Sequence, residues 1–251
     1  MNERFLKTSN IPENKVSMVF ADIDDNALKN VFNKLSIKVI HVTENPLLDQ
    51  PVSKHADMLC NYVGKSTFLV DKNQVELCEI IENNIGKSVK IQNIKSPYPN
   101  DCLLNFADIG DYIICNKSIL TDEVVKYLPN KPIIDVKQGY SKCSVCICSH
   151  NTIITDDKSV YNAVLRFDNI KPLLIEKGSV CINKYDYGFI GGCCGLIDKK
   201  MLLFNGDLSS HLDFDKIKKF LYDNDISYID IKGKTLTDIG SIIPIIETNG
   251  D

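Results

Sequence analysis

Five stretches of the chain place apolar residues at intervals of three and four positions, which predicts amphipathic helices. In the last stretch Phe214, Ile217 and Leu221 fall on one face, while Lys218 and Lys219 fall on the other. The five predicted helices span residues 27–35, 75–85, 122–128, 158–167 and 214–223. Their regular spacing along the chain indicates an internal repeat, and the fold prediction is based on that repeat.

Each predicted helix leads into a short run rich in β-branched and aliphatic residues, which favours a strand. These runs are residues 37–42, 88–94, 132–136, 172–176 and 227–231. Two further strands usually follow, as at 59–63 and 67–70. Asp or Asn ends the second strand, and we expect these residues to form turns and helix N-caps. They are Asp71, Asn116, Asp156 and Asn205.

The repeated unit is therefore strand–strand–helix–strand, and its two terminal copies are incomplete in complementary ways. The first copy starts with one strand and runs into a helix, and the last copy stops after a strand near residues 241–247. We expect the two ends to complete one unit and close a five-bladed α/β propeller, because closure removes exposed strand edges. The predicted repeats are approximately 10–54, 55–104, 105–140, 141–187 and 188–251, within one domain over 1–251. The alternative is a single doubly wound sheet, which alternates one strand with one helix.

A small or acidic motif follows each strand that comes after a helix. The motifs are Ala56-Asp57-Met58, Ala107-Asp108-Ile109, Lys142-Cys143-Ser144, Gly191-Gly192-Cys193 and Thr237-Asp238-Ile239. In a closed ring these motifs would line the central channel. Three carboxylates around one axis would attract a guanidinium or ammonium ligand. The alternative is that each Asp accepts hydrogen bonds from backbone N–H groups in a repeated turn.

Composition narrows the classes of partner. The formal net charge is −4, and the arginines are Arg4 and Arg166 alone, so the chain lacks the basic patch of a nucleic-acid-binding protein. No segment offers the ~20 consecutive apolar residues of a membrane span. Residues 1–7 lack the apolar core of a signal peptide. We therefore expect a cytoplasmic protein whose ten cysteines are thiols.

The repeat architecture resembles the pentein superfamily of guanidino-group-modifying enzymes, a family that includes arginine and agmatine deiminases, dimethylargininases and amidinotransferases. His55-Ala56-Asp57-Met58 resembles the His-x-Asp element of that family. The segments 188–192 and 236–241 resemble an uncharacterised branch of it. The resemblance implies a ring of five ββαβ units and a deiminase-like hydrolase or an amidinotransferase. A non-catalytic pentein that binds a protein or metabolite through the ring face is the alternative.

Family enzymes carry a nucleophilic cysteine in the last blade, where this chain has Ser241. We expect His55 and Asp57 to be catalytic, with both side chains on the same side of an extended segment. Cys193 would replace the missing nucleophile if it faces the channel.

Three further residues, Asp108, Asp238 and Cys143, are expected to bind the substrate. No cofactor is expected. No metal is expected either, because Cys146, Cys148 and His150 would spread along a strand over about 13 Å.

Overall fold

Short strands and short helices alternate in the computed structural model, which describes residues 3–84 and 86–249. The strands are β1 (Glu3–Phe5), β2 (Val16–Ala21), β3 (Lys38–His41), β4 (Cys60–Gly64), β5 (Thr67–Asp71), β6 (Lys87–Ile91), β7 (Ala107–Asp108), β8 (Ile113–Cys115), β9 (Ile133–Asp135), β10 (Val145–Ser149), β11 (Thr152–Thr155), β12 (Lys171–Leu174), β13 (Cys194–Asp198), β14 (Met201–Phe204), β15 (Ser227–Ile229) and β16 (Ile243–Thr248). The helices are α1 (Asn26–Leu35), α2 (Ala56–Leu59), α3 (Val75–Asn83), α4 (Asp122–Val125), α5 (Lys158–Val164) and α6 (Phe214–Asp223).

The five predicted helices correspond to α1, α3, α4, α5 and α6, and the strands predicted to follow them are β3, β6, β9, β12 and β15. Ile85, at the predicted end of the second helix, lies outside the described residues. Both α4 and α5 end earlier than predicted, because the chain tightens there. Tyr127 N donates to Val124 O and Phe167 N to Val164 O, which are bonds between residues three apart.

Two of the predicted turn residues form turns but do not cap helices. Asp71 Oδ1 accepts from the backbone N–H of Asn73, and Asn116 Oδ1 accepts from the N–H of Ser118. The N-cap role predicted for both is wrong, because α3 and α4 begin after these turns are complete. It is also wrong for Asp156 and Asn205, since Asp157 and Asp213 are the residues at the N-caps of α5 and α6. At the start of α4 it is Thr121 whose side chain accepts from a helical N–H.

Four sheets share one construction. In each, the first two strands are antiparallel and the third, which follows a helix, is parallel to the second. Their strand orders are β4-β5-β6, β7-β8-β9, β10-β11-β12 and β13-β14-β15. The predicted strand–strand–helix–strand repeat is thereby confirmed, and the alternative of one doubly wound sheet is wrong.

The fifth sheet joins the two ends of the chain, in the order β1-β16-β2-β3. β16 is antiparallel to both of its neighbours, with Ile243 opposite Phe20 and Ile246 opposite Phe5. β2 and β3 are parallel and are connected through α1. β16 therefore takes the place of the first strand that the other four units have, as expected from the incomplete terminal copies.

Apolar faces of the helices pack onto these sheets. In α1, Leu28 and Phe32 are buried with Val19 of β2, and in α6 Ile217 and Leu221 are buried in another cluster. Burying side chains of this size contributes about 1.5–3 kcal/mol each. No helix among residues 3–84 and 86–249 is long and apolar enough to cross a membrane.

Candidate functional site

The His55–Asp57 segment is helical rather than extended. α2 begins directly after His55, and Met58 N donates to His55 O at 3.1 Å. The chain is held there from the other end of the sequence, because Asp57 N donates to Gly240 O at 3.0 Å. The prediction of an extended segment is therefore wrong, yet both side chains are buried in one polar cluster.

We call this group of side chains the central cluster. Its members come from the loops before β4, β10 and β16 and are almost fully buried. They are His55, Asp57, Lys142, Cys143, Asp238 and Ser241. Three of the predicted site motifs, those around Asp57, Cys143 and Asp238, are brought together here.

Asp57 lies at the middle of the cluster. Its Oδ2 accepts from Ser241 Oγ at 2.5 Å and from Cys143 Sγ at 3.1 Å. Its Oδ1 is buried and accepts no hydrogen bond from any described residue. Burial raises the pKa of Asp57, and the nearby charge of Lys142 opposes that rise. A carboxylate with one free oxygen in a dry site is costly to maintain unless it binds something.

Lys142 compensates the acidic groups from within the chain. Its side chain is buried and its Nζ donates to Ser241 Oγ at 3.0 Å. The Lys142 charge favours the ionised forms of both Asp57 and Asp238. Lys142 lies in one of the predicted inner motifs, but no role was predicted for it from the sequence. The predicted channel of three carboxylates is instead a pair of carboxylates with one internal cation.

Asp238 is held by two backbone N–H groups, those of Phe189 and Gly240, each at 2.9 Å. Burial raises the pKa of this carboxyl to about 6 in spite of these hydrogen bonds. Its Oδ1 lies 3.7 Å from His55 Nδ1. A Cβ at Gly192 would lie 2.0 Å from the same oxygen, so only glycine fits beside it.

His55 is a neutral imidazole in this setting, because burial lowers its pKa. Gly240 leaves the space that the ring needs, since a Cβ there would lie 2.4 Å from the Cβ of His55. Gly240 and Ser241 have φ values of +72° and +71°. The left-handed conformation is strained for a serine, and such strain is often stored at functional sites.

Asn105 organises the loop that carries Cys143. Its Nδ2 donates to Cys143 Sγ at 3.0 Å and to Asp57 O at 3.2 Å. Its Oδ1 accepts from the backbone N–H groups of Lys142 and Cys143 at 2.8 and 3.1 Å. Asn105 was not predicted from the sequence, where its position two residues before Ala107-Asp108 is the only signal.

A pocket of about 280 Å³ opens above the central cluster. His55, Cys143 and Asp238 form its polar part, and Asp186 adds a second carboxylate. Its aromatic walls are Tyr140, Tyr185, Tyr187 and Phe189. We call it the aromatic pocket. None of the four aromatic residues was predicted from the sequence, because they come from two separate loops and no local sequence motif shows that the loops meet.

A second pocket of about 540 Å³ shares His55, Ile182 and Asp238 with the aromatic pocket. Its other acidic side chains are Asp22, Asp24, Asp25 and Glu44. His55 and Asp238 therefore lie where two openings meet, and one of them is strongly acidic.

Two predicted site residues lie outside this arrangement. Asp108 accepts two hydrogen bonds from Lys131 Nζ, at 2.8 and 2.6 Å, and lines neither pocket. Cys193 is buried in an apolar cluster, and its thiol donates to Ile190 O at 3.2 Å. Cys193 therefore does not present its sulfur to the aromatic pocket, whereas Cys143 lines it.

Neither of these thiols is set up to ionise by itself. Burial raises the pKa of Cys143 well above its usual value, and the carboxylates of Asp57 and Asp238 raise it further. Burial likewise raises the pKa of Cys193. Both cysteines are thus protonated at neutral pH, and a protonated thiol is a poor nucleophile.

Potential metal ligands converge at one place in the described part of the chain. The donor atoms of His55, Asp57 and Cys143 all lie within 4.8 Å of one another. The cysteine-rich run considered in the sequence is arranged differently. Cys146 and Cys148 are in sulfur contact at 3.8 Å, but the ring of His150 pairs with Asp111 instead.

Solved structures of similar fold include two amidinotransferases and an agmatine deiminase. An inosamine-phosphate amidinotransferase from Streptomyces griseus has a TM-score of 0.63 and 9% identity, with 98% of each chain covered. A saxitoxin-pathway amidinotransferase from Microseira wollei has a TM-score of 0.58 and 9% identity, with 91% of each chain covered. Agmatine deiminase from C. jejuni has a TM-score of 0.51 and 9% identity, covering 92% of this chain and 91% of that one.

The identities are too low to carry more than the fold. No curated protein matches the sequence. Residues 20–243 match the model of the family of unknown function DUF6873. The chain belongs to that family, and its mixed α/β fold is similar to that of the amidinotransferases and of the agmatine deiminase.

Proposed function

We propose that the protein binds a small guanidino or amino cation in the aromatic pocket, above His55 and Asp238. The observation that carries the proposal is the lining of this pocket: four aromatic rings, two carboxylates and no lysine or arginine among its lining residues. Aromatic faces attract cations through their quadrupole, and the attraction is strongest where water is excluded.

The polar floor supports the same ligand class. Asp238 is fixed by two backbone N–H groups, so its carboxylate keeps one orientation toward the pocket. The neutral ring of His55 adds no competing positive charge. A cation bound beside Asp238 would stabilise its ionised form and thereby recover part of the free energy that burial costs that carboxylate.

The walls support a planar head group. The rings of Tyr140 and Phe189 are 6.3 Å apart and tilted by 33°, and those of Tyr187 and Phe189 meet edge to face at 6.2 Å. A guanidinium is planar and weakly hydrated, so it stacks on such rings more readily than an ammonium does. A volume of about 280 Å³ suits a compound of the size of an amino acid.

The site favours binding over thiol chemistry. The solved structures of similar fold are named as amidinotransferases and a deiminase, yet this chain has Ser241 in its last unit, and Cys143 and Cys193 are protonated. Ser241 is fully buried and shares hydrogen bonds with Asp57 and Lys142. We therefore propose a ligand-binding pentein in which neither Cys143 nor Cys193 is a thiolate in the resting state.

Calorimetric titration with arginine, agmatine and an N-methylarginine tests the proposal, and citrulline is the neutral control of nearly equal shape. We expect binding of at least one cation and none of citrulline. Asp238→Asn should weaken that binding at least tenfold, because the paired charge is lost. Asp108→Asn is the matched variant and should leave the affinity unchanged, since Lys131 holds that carboxylate.

Two results would contradict the proposal. If citrulline binds as tightly as arginine, the positive charge of the ligand does not contribute to binding. Release of ammonia from any of the cations, abolished by Cys143→Ser, would replace simple binding by catalysis at that thiol.

We also propose that the five sheets are blades of one closed ring over residues 1–251, with the unit boundaries predicted from the sequence. The support is the shared sheet in which β16 lies between β1 and β2. Deleting residues 243–251 should then abolish cooperative unfolding in urea, because one blade loses its central strand. Retention of a cooperative transition would contradict closure by this strand.

A further inference from the structure

The central cluster contains three side chains of the types that bind zinc, at a spacing close to what zinc requires. The donor atoms of His55, Asp57 and Cys143 are within 4.8 Å of one another. Bonds of about 2.0–2.3 Å in a tetrahedral site separate ligand atoms by roughly 3.3–3.6 Å. The most widely separated pair of donor atoms would need to approach by up to about 1.2–1.5 Å when the metal binds.

We propose that His55, Asp57 and Cys143 form a binding site for a zinc ion. A separate observation points to a ligand at this place. Asp57 is 1% exposed, and its Oδ1 accepts no hydrogen bond from any described residue while Oδ2 accepts two. A buried carboxylate oxygen without a donor is the arrangement expected where a cation belongs.

Each of the three proposed ligands has a polar side chain beside it. His55 Nδ1 lies 3.7 Å from Asp238 Oδ1, so a small movement of the ring would allow that carboxylate to accept a hydrogen bond from it once a metal is bound. Carboxylate–histidine–zinc arrangements of this kind are common and raise the basicity of the ligand.

The other two ligands have partners as well. The hydroxyl of Ser241 lies 2.5 Å from Asp57 Oδ2, which leaves Oδ1 as the oxygen for the metal. Asn105 Nδ2 lies 3.0 Å from Cys143 Sγ, and an N–H donor to sulfur stabilises a thiolate. These partners mark the cluster as an organised site rather than a chance gathering of polar groups.

The charges balance with the metal bound. Asp57, Asp238 and the thiolate of Cys143 together carry three negative charges, and Zn²⁺ and Lys142 together carry three positive charges. When zinc binds, the S–H proton of Cys143 leaves to solvent and a sulfur–zinc bond replaces it. Zinc is therefore the group that would allow Cys143 to ionise beside two carboxylates.

The fourth coordination position would face the aromatic pocket, because His55 and Cys143 both line it. Three protein ligands with one open position are typical of catalytic rather than structural zinc sites. The inference goes beyond the proposed ligand binding and does not depend on it, since the aromatic walls contribute no metal ligand. A bound zinc would weaken the binding of a cation nearby, so the calorimetric titrations are made on chelator-treated protein, and the two proposals can then fail separately.

Titration of chelator-treated protein with Co²⁺, a spectroscopic substitute for zinc, tests the inference. We expect one ion per chain, a near-ultraviolet charge-transfer band from a thiolate–cobalt bond, and loss of that band when Zn²⁺ is added. Cys143→Ser removes the thiolate that produces the band, so the band should disappear. Because a direct ligand is lost, the affinity for the ion should also fall by at least the factor of about 10–100 that is typical when a partner of a ligand is changed.

Cys181→Ser is the matched control, because Cys181 is the exposed thiol among the ten cysteines and the natural place for adventitious metal. This variant should keep the band and the stoichiometry. A band that persists in Cys143→Ser, or that disappears in Cys181→Ser, would overturn the inference.

A second measurement guards against misfolding of the variant. Zn²⁺ should raise the melting temperature of the unaltered protein, since it binds the folded state, and Asp57→Asn should reduce that rise. An unaltered protein that shows neither the cobalt band nor a shift of melting temperature has no zinc site at this cluster.

Discussion

Asp57 and Asp108 follow the same inner position in two copies of the repeat, but their surroundings differ. Asp108 forms an ion pair with Lys131, whose side chain is 25% exposed. Asp57 shares a buried centre with Asp238, and their compensating cation, Lys142, is buried with them. Asp108 has the closed environment of a structural residue, whereas Asp57 has a buried oxygen without a donor.

The difference between the surroundings of Asp57 and Asp108 shows how a functional site can arise in a protein built from repeated units. Similar motifs place a carboxylate at equivalent positions in two units. The position and burial of the lysine near each carboxylate then determine whether its role is structural or functional. Lys131 reaches Asp108 from the turn just before β9 in the same unit. Lys142 comes from the loop before β10 to meet Ser241, 99 residues away in the sequence. Only the second arrangement joins several units at one point.

The largest expected effect concerns the buried cation. Lys142→Met keeps most of the side-chain volume but removes the charge that opposes Asp57 and Asp238. Removing one partner from a buried ionic group costs about 3–5 kcal/mol, because the other charges stay buried without compensation. Urea denaturation at pH 7 measures the loss of the free energy of unfolding.

Lys142→Arg is the control, since it retains the charge and should recover part of the stability. A loss below about 1 kcal/mol for Lys142→Met would mean that the carboxylates are already neutral, and the contrast with Asp108 would disappear.

The sequence predicted most of the fold because its elements depend on local patterns. Helix spacing, β-branched runs and turn residues located α1, α3, α5 and α6 to within a few residues. The incomplete first and last copies predicted the shared sheet, since each end lacked what the other had. The C-terminal ends of α4 and α5 were less accurate, because the chain tightens there into hydrogen bonds between residues three apart, which periodicity does not reveal.

The site was only partly predictable. His55, Asp57, Asp238 and Cys143 came from motifs at equivalent places in the repeat, and the structure brings them together. Asn105 and the aromatic walls could not be found in this way, because their roles arise from contacts across loops. Cys193 was predicted to replace the missing nucleophile if it faced the channel, but its side chain is buried in an apolar cluster, directly before the strand that begins at Cys194.

A second prediction concerns pH. Burial raises the pKa of Asp238 from 3.8 to about 6, which corresponds to about 3 kcal/mol. The folded state therefore holds this proton more tightly than the unfolded state. The resulting stability is present below pH 4 and is lost as pH rises through 6.

Urea denaturation of the unaltered protein and of Asp238→Asn between pH 4 and pH 7 measures this term. As pH rises, the free energy of unfolding of the unaltered protein should fall by about 3 kcal/mol relative to that of Asp238→Asn. Parallel curves would show that Asp238 titrates as it does in the unfolded chain.

The smallest expected effect is that of a substitution at the Asp108 site. Lys131→Met removes the partner of Asp108 and should cost about 1–3 kcal/mol, the range for a buried polar group that loses its hydrogen bonds. The loss is smaller than for Lys142→Met, because Lys131 is partly exposed and Asp108 keeps a hydrogen bond from Gly110 N. Burial already raises the pKa of Asp108, so without Lys131 this carboxyl takes up a proton more readily and the cost becomes smaller as pH falls. Urea denaturation of Lys131→Met at pH 5 and pH 7, beside Lys142→Met, gives the comparison directly. Equal losses for the two variants would mean that the two carboxylate sites are energetically alike, and the distinction between a structural and a functional Asp would fail.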